Sequence, residues 1–158
     1  MNENTLMVAF RLGDERYAID LQAVERVVRA VALTPLPGAP RAIRGVFSLR
    51  GRIVPVGDLR LRLGLPEREV AIEDQIVLAW SRSRVLGVLT EGATEVVSCR
   101  SDSIEQSEYV LQGAEAIAGI GQLPNGLVLI HDLARFLSSA EDRALDEALH
   151  EHRTSRPA

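Results

Sequence analysis

Three histidines, one cysteine and a short glycine run are the residues in this chain whose types could carry catalysis or hold a metal or phosphate. His131 stands beside Asp132, as a proton-transfer dyad would require, but neighbours on a strand point to opposite faces. A surface or helix-start histidine is therefore expected. His150 and His152 lie two apart in a helical stretch, on different faces and without a third ligand, which argues against zinc. Cys99 has no histidine near it in sequence and reads as a small buried apolar residue. A single cysteine also excludes a disulfide framework and a thiolate metal site. Gly119-Ile120-Gly121, with Gly126 beyond, superficially suggests a phosphate loop. It lacks the lysine of a Walker motif and precedes a β-hairpin rather than a helix. The serines at 81, 83, 98, 101, 103 and 107 fall in corners and a polar loop, and no Gly-x-Ser-x-Gly elbow is present. Nothing assembles a nucleophile with a base, so neither an enzyme nor a bound cofactor or metal is expected.

The remaining chemistry is recognition. Leu49-Arg50-Gly51-Arg52 reads as a hairpin tip with two forked guanidiniums beside an apolar residue. Arginine suits bidentate capture of a partner's carboxylate. The alternative is a solvated charged turn.

The elements that must position such a tip are mostly short strands. Residues 6–12 and 17–20 flank a Gly13-Asp14 corner, a hairpin signal. Ala23, Val24, Val27 and Val28 suggest a short helix passing into a strand. Three prolines at 35, 37 and 40 impose a stiff extended connection. Residues 43–49 and 52–56 are strands around Arg50-Gly51. Asp58 is a candidate N-cap for a helical turn carrying Leu59, Leu61 and Leu63, stopped by Gly64 and Pro66. Residues 67–75 form a polar loop. Residues 76–80, 84–90 and 94–99 are three further strands, and 101–115 a long mobile loop. From Leu133 onward apolar residues recur at helical spacing, and Ser138 and Ser139 ahead of Glu141 and Asp142 offer a capping box that divides the stripe into two helices. Residues 153–158 are expected to be a disordered tail.

Residues 43–63 laid without a gap on 117–137 match at Ile43/Ile117, Gly45/Gly119, Leu49/Leu123, Val54/Val128, Asp58/Asp132, Leu59/Leu133 and Leu63/Leu137. A looser echo links Ala18-Ile19 with Gly87-Val88, and Val27-Val28 with Val96-Val97. Two related β-rich units within residues 1–158 follow, each near the lower size limit for an independent core.

Composition narrows the function classes. The formal net charge is −4 and aromatics are 4%, against the basic, aromatic-lined groove an oligonucleotide-binding barrel needs. No apolar run approaches the roughly 18 residues that span a bilayer, and no basic-then-apolar leader opens the chain. A soluble, cytoplasmic protein is expected, without membrane insertion or nucleic acid. All 18 basic residues are arginine, for which there is no physical account.

The run IRGVFSLRGRIVPVGDLRLRL, residues 43–63, resembles the signature of the CheW-like chemotaxis coupling protein family. FRLGDERYAIDLQAVERV resembles that family's first hairpin, TPLPGAP its proline-bearing connection, and RVLGVLTEGATEVV its second-half strands. The resemblance implies a mainly β fold of two intertwined SH3-like five-stranded β-barrels, with short helices and a C-terminal helix. It implies a non-enzymatic adaptor that couples the cytoplasmic tips of chemoreceptors to the regulatory domain of a CheA-type histidine kinase, in arrays on the inner face of the membrane. By position, the partner-binding residues it implies are Val24, Gly45, Leu49, Arg50 and Gly51.

Three departures bear on that expectation. Ser48 replaces the family's asparagine, Thr90-Glu91 its Val-Asp, and Arg26 stands where a glutamate is common. Arg26 is added to the partner-binding set, because a basic residue beside Arg50 would repel it unless the partner is more acidic than usual. A variant adaptor, serving a particular receptor or a non-flagellar pathway such as one controlling pili, is the alternative.

Overall fold

The computed structural model describes residues 3–82, 84–106 and 117–155. Its strands are β1 (Asn4–Leu12), β2 (Glu15–Asp20), β3 (Val24–Arg29), β4 (Ile43–Leu49), β5 (Arg52–Gly57), β6 (Gln75–Trp80), β7 (Val85–Arg100), β8 (Glu105–Gln106), β9 (Ile117–Leu123) and β10 (Gly126–His131). The helices are α1 (Leu59–Leu63) and α2 (Ser139–Ser155), with single 3-10 turns at Leu21–Ala23, Ser101–Ser103 and Leu133–Arg135.

These strands make two barrels. In barrel I the order is β7-β1-β2-β10-β9-β8. In barrel II, β3 pairs β6, β6 pairs β7, β7 pairs β5 and β5 pairs β4, and a bridge from Thr34 to Val46 brings the chain beyond β3 back to β4. Both barrels use β7. Its last pair with β6 joins Thr90 to Gln75, and its pairs with β1 begin at Glu91 opposite Arg11. Gly92, at φ +67°, takes a conformation that side chains resist where the strand changes barrels. The strands expected at 84–90 and 94–99 are thus one 16-residue strand starting at Val85. The stretch from Ala23 to Val28 is a 3-10 turn that gives way at once to β3.

The pairing is the same in both barrels. In barrel I, Ala9 lies between Ala18 and Glu95, and Ala18 meets Ile130 across a parallel pair. In barrel II, Leu78 lies between Gly87 and Arg26, and Gly87 meets Val56 across a parallel pair. Asp58 and Asp132 each cap the turn that follows, accepting the N–H of Arg60 and Ala134 at 3.0 Å.

The apolar runs of β1 and β6 lack polar alternation because both faces of each strand are buried. Met7 and Ala9 face barrel I's own core, while Val8, Phe10 and Leu12 enter a central cluster between the barrels. Ile76 and Leu78 fill barrel II, while Val77 and Ala79 join the same central cluster. Leu145 and Ala148 of α2 seal that cluster beside Leu36 and Ala42. The start of α2 is a reciprocal capping box: Glu141 N–H donates to Ser138 Oγ at 3.1 Å, and Ser138 N–H donates to Glu141 Oε1 at 3.0 Å. α2 continues to Ser155, so residues 153–155, expected in a disordered tail, are helical. The expected loop at 101–115 begins as a 3-10 turn and β8, and 107–115 lie outside the described residues.

An ionic joint ties the barrels where β7 crosses. The Glu91 carboxylate accepts Gly13 N–H at 2.7 Å and Arg68 Nε at 2.9 Å, with Arg60 Nη2 2.6 Å away. Burial pushes this carboxyl up, but those donors outweigh it and leave its pKa below the usual range. Asp74 beside it accepts from Ala71 N–H, Gly92 N–H and Arg68, and is lowered for the same reason. The departure at Thr90-Glu91 thereby has a structural use, with Thr90 Oγ1 donating to the Gln75 carbonyl.

Candidate end-of-barrel docking site

Five strand ends gather at one end of barrel II. β4 finishes at Leu49, β5 starts at Arg52, β7 starts at Val85, β6 finishes at Trp80 and β3 starts at Val24. The antiparallel and parallel pairings put all five on the same side. The β4–β5 turn has positive φ at both central residues, 53° at Arg50 and 79° at Gly51, the type I′ geometry that matches strand twist. Glycine adopts it freely, whereas for Arg50 it costs on the order of 1 kcal/mol. The turn therefore presents an exposed arginine at its tip, and the guanidinium has no ion-pair partner among the described residues.

Alternation along the strands decides what points into this end. Leu78 and Val28 face barrel II's core, and Arg26 is paired directly with Leu78. Arg26 thus continues the core-facing row of β3 beyond Val28, into solvent. Trp80 continues the same row on β6 beyond Leu78, and 51% of it is exposed. Leu49 packs against the cluster of Phe47, Val54 and Val85. Val24, half-buried, packs on the central cluster and meets Ala79. A bulge between Val24 and Arg26 leaves Glu25 without a strand partner, and both its oxygens accept from Arg52 Nη2 at 3.2 Å. The acidic partner of the tip is therefore Glu25, which neutralises Arg52. Glu25 is taken up by Arg52, and Arg26 and Arg50 stay without an ion-pair partner among the described residues.

Five of the six expected partner-binding residues, Val24, Arg26, Leu49, Arg50 and Gly51, lie at this end. Gly45 does not. It is buried within β4, where a Cβ would sit 2.6 Å from the Thr34 carbonyl oxygen. Its equivalent Gly119 is pressed in the same way on the Glu105 carbonyl, at 2.9 Å. Gly45 acts by letting the Thr34 segment close the barrel. Gly45→Ala should cost about 2 kcal/mol of stability through overpacking against backbone. Chemical denaturation checks this, and an unchanged midpoint would show that the segment can give way.

His131 is not at the surface. It is buried at 2% exposure, and neither ring nitrogen meets a hydrogen-bond partner. Burial pushes its pKa down to about 4, against a smaller opposing pull from Asp132. Its ring meets the edge of Phe136, with centroids 6.0 Å apart. The equivalent position in the other unit is Gly57, where a Cβ would strike the same Phe136 ring at 2.5 Å. Cys99 is buried as expected, under Gly121. His150 is exposed on α2, and no group of metal-binding side chains occurs among the described residues.

Trp80, which no motif marks, carries one signal in the sequence. It is the single tryptophan, and it ends an apolar run directly before the corner Ser81-Arg82-Ser83.

Comparison with known proteins agrees with this fold. The family model described as "CheW-like domain" matches residues 6–141. The chemotaxis protein CheW of Klebsiella aerogenes is 31% identical over 148 residues, covering 90% of this chain and 87% of that protein. The CheW of Rhizobium meliloti is 26% identical over 140 residues, covering 87% and 90%. The crystal structure of the scaffolding protein TtCheW from Thermoanaerobacter tengcongensis superposes with a TM-score of 0.79 at 28% identity, covering 87% of this chain and 94% of that one.

Proposed function

The chain belongs to the CheW-like domain family, and on that premise we propose that it bridges the cytoplasmic tips of chemoreceptors to the regulatory domain of a CheA-type histidine kinase. Its role is that of an adaptor in chemotaxis signalling. Bridging needs binding surfaces rather than catalytic groups, and the protein acts without catalysis, in the cytoplasm at receptor arrays. No helix among the described residues is long and apolar enough to cross a membrane. The observation that supports the reading is the end of barrel II, where a type I′ turn holds Leu49 and Arg50 at the same barrel end as Val24. Partners in an exchanging assembly need only modest affinity. Titration calorimetry against a purified kinase regulatory domain, and against a purified receptor tip, should give micromolar binding, on the order of −8 kcal/mol. Neither heat nor complex with either partner would remove the bridging role.

A further inference from the structure

The duplicated pairing supplies an internal comparison for the end of barrel II. In barrel I the place of Arg26 is taken by Glu95, since each pairs across from the equivalent residues Leu78 and Ala9. The place of Val85 is taken by Arg16, and that of Trp80 by Arg11, because the two hairpins share one register. The Arg50-Gly51 turn corresponds to Pro124-Asn125, between Leu123 and Gly126.

In barrel I these positions satisfy one another. Arg16 donates to Glu95 and, at 2.8 Å, to Asn125 Oδ1, so its guanidinium ties β2 to β7 and to the β9–β10 turn. Leu123, the equivalent of Leu49, is buried beneath that tie. In barrel II the tie is absent. The central arginine is replaced by Val85, the acidic member by Arg26, and the amide acceptor by Gly51. An indole stands open where barrel I carries a charged side chain, and Leu49 is only half-buried. The same architecture thus closes one end on itself and leaves the other apolar at its centre and basic at its rim.

We propose that this open end is a docking surface for an acidic segment of a partner protein. An apolar side chain of the partner seats against Trp80 and Leu49, and its carboxylates meet Arg26 and Arg50. The partner's acidity follows from charge. Glu25 is committed to Arg52, while Arg26 and Arg50 have no ion-pair partner among the described residues and are open to an incoming anion. An exposed tryptophan at the same barrel end as two unpaired arginines has the residue types of strongly contributing interface residues. The inference rests on the adaptor reading, and it adds Trp80 as the anchor and an acidic, apolar-centred sequence as the recognised chemistry.

The test uses the full chain with two probes, a purified receptor tip and a purified kinase regulatory domain. Trp80→Ala should weaken binding to one of them at least tenfold. Arg26→Glu should weaken binding to the same probe about tenfold in low salt, with the difference shrinking at high salt as exposed charges are screened. Trp80 is the sole tryptophan, so its emission should shift to the blue on binding, with Trp80→Phe as the blank. Variants that bind like the parent, with unshifted emission, would overturn the docking surface while the adaptor reading stands. A loss at Trp80 without one at Arg26 would overturn the acidic character of the partner. No complex between the parent and either probe would overturn the adaptor reading and this inference together.

Discussion

Asp58→Ala should lower the unfolding free energy by about 3 kcal/mol, and Asp132→Ala by only about 1 kcal/mol, although both cap the same turn in their units. Asp58 is fully buried. Besides the cap, its carboxylate accepts Arg44 Nη1 at 2.8 Å and lies 3.6 Å from Arg60 Nη1. Removing it leaves Arg60, itself buried, short of one of its two carboxylates. A buried charge that loses a partner retains its desolvation cost, the larger part of the expected loss. Asp132 carries the same cap, but its side chain is 41% exposed and its ion pair with Arg135 is half in water. Asp58→Asn keeps an oxygen for the cap and discards the charge, so it should fall between the two. Urea unfolding of the three variants and the parent, analysed for midpoint at constant slope, reads the difference directly. Equal losses at Asp58 and Asp132 would show that the ionic joint adds nothing beyond the cap.

Acid should weaken the fold through His131. Its pKa is about 4 in the folded chain against 6.5 when free, so the unfolded chain binds more protons between those values. Stability therefore rises with pH across that window, is full above about 6.5, and is lost as pH falls towards 4. The shift amounts to about 3 kcal/mol at its limit. His131→Leu fills a similar volume without two unpartnered nitrogens and should be at least as stable at neutral pH. It should also lose this part of the pH dependence. Glu91 and Asp74, whose pKa values are lowered, weaken the fold in acid in both proteins, so the difference between parent and variant isolates the histidine. Parallel curves from pH 7 to 4.5 would mean that His131 reaches a partner when protonated.

Much of the architecture was readable because it depends on local chemistry. Asp58 and Ser138 announced their caps, and Arg50-Gly51 its turn, since each motif needs only a few consecutive residues. The echo between Ala18 and Gly87 proved informative because these residues hold equivalent places in the parallel pairs. What stayed hidden depended on distant neighbours. The burial of His131 is imposed by Phe136 and the central cluster, and nothing next to it in sequence signals that. The continuity of β7 was obscured by Glu91-Gly92, which read as a break and instead form the crossing point. Glu25 stands one place before Arg26, and only the bulge, which the sequence does not announce, gives its carboxylate reach to Arg52. At the candidate site the arginines were legible from the turn, whereas Trp80 needed the barrel to place it beside them.

The passage of β7 from one barrel to the other also orders events in time. The chain leaves the ribosome from its N-terminus, so β1 and β2 appear first, yet Ala18 pairs with Ile130 and Val8 with Val96. Barrel II can close once Thr90 has emerged, while the early hairpin still lacks both its neighbours, the second half of β7 and β10. That hairpin is apolar on both faces, with Met7 and Ala9 on one and Val8 and Phe10 on the other. A lone two-stranded ribbon is marginal in water. During synthesis it can rest one face on the finished barrel II, the other staying wet until β9 and β10 arrive. The nascent chain thus carries an exposed apolar edge for most of its elongation, the period in which chaperones and aggregation compete for such surfaces.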